Sequence, residues 1–137
     1  MSLSSIYLHT KVIRGETLDQ QGNPVDLAGR PFNFTPKWVV TMLTDYSRPL
    51  NDRLIFGAGG DLTYKSGTNS TLTQDPLFVI DSYAVVDFRL SLASSADTWK
   101  LTGWVRNAAD TFYSNGTFNT GDTISRYAGM PRVYGGT

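Results

Sequence analysis

The sequence predicts an all-β chain, an antiparallel up-and-down meander of about five to six strands. Three observations carry this. The best periodic segments alternate apolar and polar residues at period two, and none has a convincing helical period. Aromatics are plentiful, with three Trp, seven Tyr and seven Phe. The remainder is rich in Gly, Thr, Ser, Asn and Asp, a mix that suits strands joined by polar loops.

The elements follow in chain order. A first strand is expected over residues 5–13, where Ile6, Leu8, Thr10 and Val12 share a face. A polar stretch follows with Gly15, Gly22-Asn23-Pro24 and Gly29, and its Pro and Gly exclude a central strand. The second strand is expected over residues 37–47, with Trp38, Val40, Met42, Thr44 and Tyr46 on one face and Val39, Thr41, Leu43 and Asp45 on the other. Arg48-Pro49-Leu50-Asn51-Asp52 reads as a short break. A third strand covers residues 53–65. Its Leu54, Phe56, Ala58, Gly60, Leu62 and Tyr64 point one way, and Gly57, Gly59, Asp61 and Thr63 the other.

Residues 66–76 read as a polar loop. The fourth strand, residues 81–93, alternates most clearly. Ala84, Val86, Phe88, Leu90 and Leu92 oppose Val85, Asp87, Arg89 and Ser91. A tight turn at Ser94-Ser95-Ala96-Asp97 leads to a fifth strand at residues 98–107, so these two strands should pair as a hairpin. Trp99, Leu101, Gly103 and Val105 share one face there, and Lys100, Thr102, Trp104 and Arg106 the other. Residues 108–131 read as a third long polar loop, and a sixth strand begins at Arg132 without being completed. Met1-Ser2-Leu3 reads as an added start, and the whole of 1–137 as one fragment of a longer chain.

Connection lengths run long, short, long, short, long. Outer-membrane barrels alternate in this way, with short turns at one end and long loops at the other. The strands, about 9–13 residues each, exceed the usual mode of about 5–6 in soluble sheets and match tilted membrane strands. In such a barrel Asp87, Arg89, Lys100 and Arg106 face the lumen, Phe88, Leu90, Leu101 and Val105 face lipid, and Trp99 stands in an aromatic girdle.

Composition excludes several function classes. The chain has no cysteine, which removes disulfides and thiolate metal sites. Its net charge is zero, which removes the electrostatic footprint of a nucleic-acid binder. No run of 18 apolar residues is present, so no transmembrane helix is expected.

The order and spacing of three stretches resemble the C-terminal β-barrel portion of TonB-dependent outer-membrane receptors. The first is Asp26-Leu27-Ala28-Gly29-Arg30-Pro31, Pro36-Lys37-Trp38 and Asp45-Tyr46-Ser47-Arg48-Pro49-Leu50. The second is Tyr83-Ala84-Val85-Val86-Asp87-Phe88-Arg89-Leu90, then Trp99-Lys100-Leu101 and Val105-Arg106-Asn107-Ala108-Ala109-Asp110-Thr111-Phe112-Tyr113. There the family pattern is Asn-Leu-x-Asp-x-x-Tyr, and Ala108 departs from its leucine. The third is Gly129-Met130-Pro131-Arg132-Val133-Tyr134-Gly135, similar to the start of the family's final strand. The likeness covers about residues 26–137. It implies a receptor in the bacterial outer membrane for energy-coupled uptake of an iron chelate, a vitamin or a glycan. The implied partners are the remaining barrel strands, a plug domain, outer-membrane lipid, an external small ligand, and TonB through an N-terminal part absent here. No cofactor is implied.

No catalytic, metal or cofactor site is expected, and the ligand-contacting residues are not named by the sequence. His9 stands alone, without the paired ligands a zinc site needs. Asp87, Arg89, Lys100 and Arg106 read as a solvated lumen face with cross-strand pairs rather than an active site. Ser91 and Ser94 lack a base and a nucleophile elbow. Asn33-Phe34-Thr35, Asn69-Ser70-Thr71 and Asn115-Gly116-Thr117 match a glycosylation pattern but read as ordinary loop. Gly57-Ala58-Gly59-Gly60 lacks the Lys and helix of a phosphate loop and reads as strand curvature. Tyr113, Asn115, Phe118 and Asn119 either touch an external ligand or pack within their loop. A small soluble lipocalin-like binding module is the competing function. It differs in burying its apolar face instead of showing it to lipid.

Overall fold

The computed structural model describes residues 1–19 and 21–137. Six strands form one antiparallel sheet: β1 (Ser2–Tyr7), β4 (Trp38–Asn51), β5 (Leu54–Lys65), β8 (Tyr83–Ser94), β9 (Lys100–Arg106) and β12 (Val133–Gly136). Spatial order follows chain order, β1-β4-β5-β8-β9-β12, which is an up-and-down meander. Three two-stranded pieces sit in the long connections: β2 (Glu16–Leu18) with β3 (Pro24–Asp26), β6 (Thr68–Asn69) with β7 (Val79–Ile80), and β10 (Ser114–Asn119) with β11 (Ile124–Ala128).

Period-two alternation fixes which residues share a face, and the register confirms the assignments. Phe88 lies opposite Val105, Leu90 opposite Gly103 and Leu92 opposite Leu101. The expected hairpin between the fourth and fifth strands is therefore present. Arg89 lies opposite Trp104 on the other face. Across β4, β5 and β8 one row reads Asp45, Gly59, Arg89, and the next reads Leu43, Asp61, Asp87.

Four local expectations change. The first strand starts at Ser2 and stops at Tyr7 instead of running over residues 5–13. Its partner β4 begins only at Trp38, opposite Tyr7, and Pro36 just before it has no N–H to extend the ladder. The break after β4 shrinks to Asp52 and Arg53. The Asn51 side chain accepts from both Arg53 N and Leu54 N at 2.9 and 3.0 Å, which closes the turn within the strand ends. Pro49 is thereby inside β4, beside a register shift. Proline is tolerated there because β1 flanks β4 only as far as Leu43. Residues 66–76 and 108–131 are not plain loops: the first contributes β6 and leads into a 3₁₀ turn at Pro76–Phe78, and the second contains the β10–β11 hairpin.

Burial is concentrated in the connections. Among the described residues, the buried apolar side chains are Leu27, Phe78 and Ile80, and the buried polar ones are Asn69, Ser70, Asn107, Ser114 and Thr117. None lies in a strand of the six-stranded sheet.

Candidate functional site: two faces and a loop platform

One face of the sheet is apolar and open. Phe88, Leu90 and Leu101 are 53%, 58% and 63% exposed, although a soluble sheet covers its apolar face with a second layer. Aromatics bracket this face. At the loop end the Tyr7 and Trp38 rings meet at 4.7 Å, with Tyr64 two residues further in along the ladder, opposite Val40. At the turn end stand Tyr46 and Trp99, both about half exposed. Ten residues separate Trp38 from Arg48, about 34 Å along a strand. A tilt of about 45° reduces that to about 24 Å, the height of an apolar barrel band of roughly 25 Å.

The opposite face carries charge. The Arg89 guanidinium donates from Nη2 to Asp45 Oδ1 at 2.5 Å and from Nη1 to Asp61 Oδ2 at 2.9 Å. Arg89 thus reaches across β5 to a carboxylate two strands away. Gly59 makes this possible, because a Cβ at that position would stand 2.5 Å from Arg89 Nε. The neighbouring Gly57 makes the same room for Ser91, whose Oγ would lie 2.5 Å from an added Cβ. On β12, Gly135 leaves space for the Trp104 ring, which a Cβ would meet at 2.6 Å. Gly59 and Gly135 therefore serve as floor for long side chains lying flat across the sheet, which at Gly59 is a role beyond the expected strand curvature.

Asp61 and Asp87 lie directly opposite each other, an unfavourable like-charge pair if left alone. Each has a separate outlet: Asp61 takes Arg89, and Asp87 Oδ1 accepts from Asn107 N at 2.8 Å. Asp61 Oδ1 is buried without a partner among the described residues. The expected grouping of Asp87, Arg89, Lys100 and Arg106 is thus rearranged. Arg106 lies 5.3 Å from the Trp104 ring, Lys100 sits at the turn end opposite Ala93, and the ion-pair partners are Asp45 and Asp61. A concavity of about 500 Å³ opens on this face and includes Asp61, Asp87, Arg89, Trp104 and Arg106.

The three long connections gather at one end and interlock by hydrogen bonds. Phe34 N donates to Asn69 O at 2.9 Å, the Arg30 guanidinium donates to Thr73 O, and Thr117 N donates to Ser70 Oγ at 2.9 Å. Asn69 is a hub: its Nδ2 donates to Asp75 O, and its Oδ1 accepts from Thr71 N and Thr71 Oγ1. A glycan acceptor has to be accessible, and Asn69 is only 4% exposed.

A second hub explains the Asn107 to Tyr113 stretch. Asn107 is 2% exposed with φ 49°, a left-handed conformation that Asn adopts more readily than most residues. Its Nδ2 donates to Thr111 O and Met130 O, and its Oδ1 accepts from Thr111 N, all at 2.9 Å. Asp110, also left-handed at φ 54°, accepts from Arg132 N and pairs with its guanidinium at 3.6 Å. Tyr113 stacks on Tyr83 at 4.3 Å, and its hydroxyl accepts from Met130 N at 3.2 Å. Gly129 is obligatory here, since a Cβ would stand 2.1 Å from the Tyr113 ring. Together these contacts staple the end of β9 to the start of β12.

The other residues singled out by sequence are placed as follows. His9 is exposed after β1, and no group of three metal-ligating side chains forms among the described residues. Ser91 lies on the charged face opposite Thr102, and Ser94 Oγ accepts from Ala96 N in the turn. Asn33 Nδ2 donates to Ser70 O at 3.3 Å. Phe118 stacks on Tyr127 at 4.6 Å, and Asn119 Oδ1 accepts from Gly121 N. The β10–β11 hairpin lies where a plain loop is expected, although Gly121-Asp122 between two short segments is a hairpin signal.

Residues 4–108 match the family described as TonB dependent receptor-like, beta-barrel. No curated protein and no solved structure matches the chain. Proteins of this family are receptors of the bacterial outer membrane. The open apolar face opposes the soluble lipocalin-like alternative, which requires that face buried. Sheet, faces and matched residues agree: the chain belongs to the TonB-dependent receptor β-barrel family.

Proposed function

We propose that this chain is a C-terminal stretch of the barrel wall of an outer-membrane receptor for energy-coupled uptake of a small external ligand, such as an iron chelate, a vitamin or a glycan. Its charged face lines the lumen and meets the plug domain. Its apolar face meets lipid, and the interlocked loops form part of the external mouth. Contact with TonB falls to another part of the parent protein. The observation that carries the reading is the open apolar face, a band about 24 Å high between Trp38 and Arg48 with aromatics towards both ends.

The chain contains no cysteine, so single cysteines report cleanly if the remainder of the receptor is also cysteine-free or made so. In the full receptor in cells, Ser91→Cys and Thr102→Cys react with a water-soluble maleimide once the lumen is open. Leu90→Cys and Leu101→Cys do not, and are reached only by a lipid-soluble reagent. Asp122→Cys labels from outside intact cells, whereas Ala96→Cys labels only after the outer membrane is permeabilised. Equal reactivity of Leu90→Cys and Ser91→Cys overturns the assignment of faces. External labelling of Ala96→Cys overturns the orientation.

A further inference from the structure

The apolar face is not a uniform surface. Register places Met42, Leu62 and Val86 in one row, Thr44, Gly60 and Phe88 in the next, and Tyr46, Ala58 and Leu90 in a third. The central strand thus contributes two small residues between bulky neighbours. The result is a trough of about 580 Å³, floored by Ala58 and Gly60 and rimmed by Met42, Tyr46, Phe88 and Leu90. The Phe88 ring overhangs Gly60, where an added Cβ would approach it at 3.3 Å. One row nearer the turns, Arg48 lies opposite Phe56 on this same face by strand alternation. Arg48 is exposed and forms no ion pair among the described residues.

We propose that this trough and Arg48 form a site for one phospholipid of the leaflet on the turn side, with an acyl chain in the trough and the phosphate on Arg48. The proposal rests on the membrane reading above. The centre of the trough lies about three residues from Arg48, roughly 10 Å along the strand. With a tilt of about 45° that is about 7 Å in depth, near the middle of a leaflet whose hydrocarbon is about 15 Å thick. An acyl chain therefore fills the trough while its headgroup stays at the level of Arg48. Trp99 on the same face lies near this level, where interfacial aromatics collect. Charge complementarity favours a phosphate at the unpaired guanidinium. A second copy of the barrel fits less well. Pairing of this face about an axis along the membrane normal sets Arg48 against Arg48 at equal depth, with no carboxylate between.

The test is lipid retention by the full receptor, extracted in mild detergent, exchanged with phosphatidylglycerol and weighed by native mass spectrometry. One bound phospholipid per barrel is expected. Ala58→Leu, which fills the floor, and Arg48→Gln, which removes the cation, are each expected to reduce retention about tenfold, roughly the loss of one favourable contact. Ala84→Leu, on the same face outside the trough, leaves it unchanged. Diacylglycerol, which lacks the phosphate, is retained about tenfold less than phosphatidylglycerol and is indifferent to Arg48→Gln. Equal retention by all variants overturns the site, as does equal retention of both lipids. A lipid-free dimer that Ala58→Leu dissociates overturns it in favour of a second copy. The cysteine pattern above separates the two readings: normal labelling without bound lipid removes only the lipid site, and failed labelling removes the membrane reading itself.

Discussion

The sheet and the loop platform are stabilised in opposite ways. In the sheet, large apolar side chains such as Leu90 and Leu101 are more than half exposed, left open by the described residues. In the loops, the buried set is dominated by Asn, Ser and Thr, held by hydrogen bonds within a connection, as at Asn107, or between two connections, as from Thr117 N to Ser70 Oγ. A soluble domain buries apolar residues and solvates polar ones. Here the polar interior belongs to the loops and the apolar exterior to the strands. The sheet therefore depends on what surrounds it, while the platform depends on hydrogen bonds it makes to itself.

The sharpest way to break that contrast is to place the same charge on the two faces. Phe88→Arg, in the row of Thr44 and Gly60 near the middle of the band, is expected in the full receptor to destabilise the folded barrel by about 2–4 kcal/mol, the range for a cation on a lipid face near midplane. Ser91→Arg, three residues on and facing the charged side, costs under about 1 kcal/mol. Urea unfolding in lipid vesicles reads both, and equal losses would remove the distinction between the faces. Next in size is the platform. Asn107→Ala removes three side-chain hydrogen bonds and leaves buried backbone groups unpaired, at about 2–3 kcal/mol. Faster proteolysis between β9 and β12, with the strands intact, is the expected signature.

The sheet was largely legible in advance because alternation writes each side chain's face directly into the sequence. Alternation alone separates Phe88 and Leu90 from Arg89 and Ser91, and the register of β8 agrees. The Arg89 cluster was only half legible. Asp45 and Asp61 stood on the right face, but nothing local says that an arginine reaches two strands over a glycine. That follows from register, which the turns set. The β10–β11 hairpin was hidden because its stability comes from partners far along the chain, as when Thr117 N meets Ser70 Oγ.

Gly59 sharpens the register argument. Gly59→Val sets a side chain where the Arg89 guanidinium lies, and overpacking of this kind costs about 1–2 kcal/mol. Arg89→Ala in the same chain recovers most of that loss, because the clash is gone, and a double-mutant cycle measures the coupling. The Arg89 ion pairs themselves are partly exposed and contribute under about 1 kcal/mol, so Arg89→Ala alone is expected to be mild.

The smallest effect is expected at Asp19, in the exposed β2–β3 connection. Its carboxylate accepts from Asn23 N, Asn23 Nδ2 and Gln21 N. The Asn23 backbone bond is the main cause that holds its pKa below the usual carboxylate value. A group depressed on folding stabilises above its unfolded pKa and loses that contribution as pH falls through the folded one. The turn therefore stays closed at neutral pH and loosens only below the ordinary carboxylate range. Hydrogen exchange at the Asn23 amide should accelerate on acidification through that window, beyond the intrinsic pH dependence, while exchange in β5 does not.

The two tight turns are joined to each other: Ser95 N donates to Arg53 O at 2.9 Å, and Ser95 Oγ to Asp52 O at 2.7 Å. Closing β4 on β5 brings together ends only two residues apart, while closing β1 on β4 spans residues 8–37. Each doubling of a flexible loop adds about 0.6 kcal/mol to its closure, so within the six-stranded sheet these two hairpins close at the lowest entropic cost, and their joined turns hold them side by side. The tie at Ser95 thus makes β4, β5, β8 and β9 one four-stranded unit of the wall at its turn end.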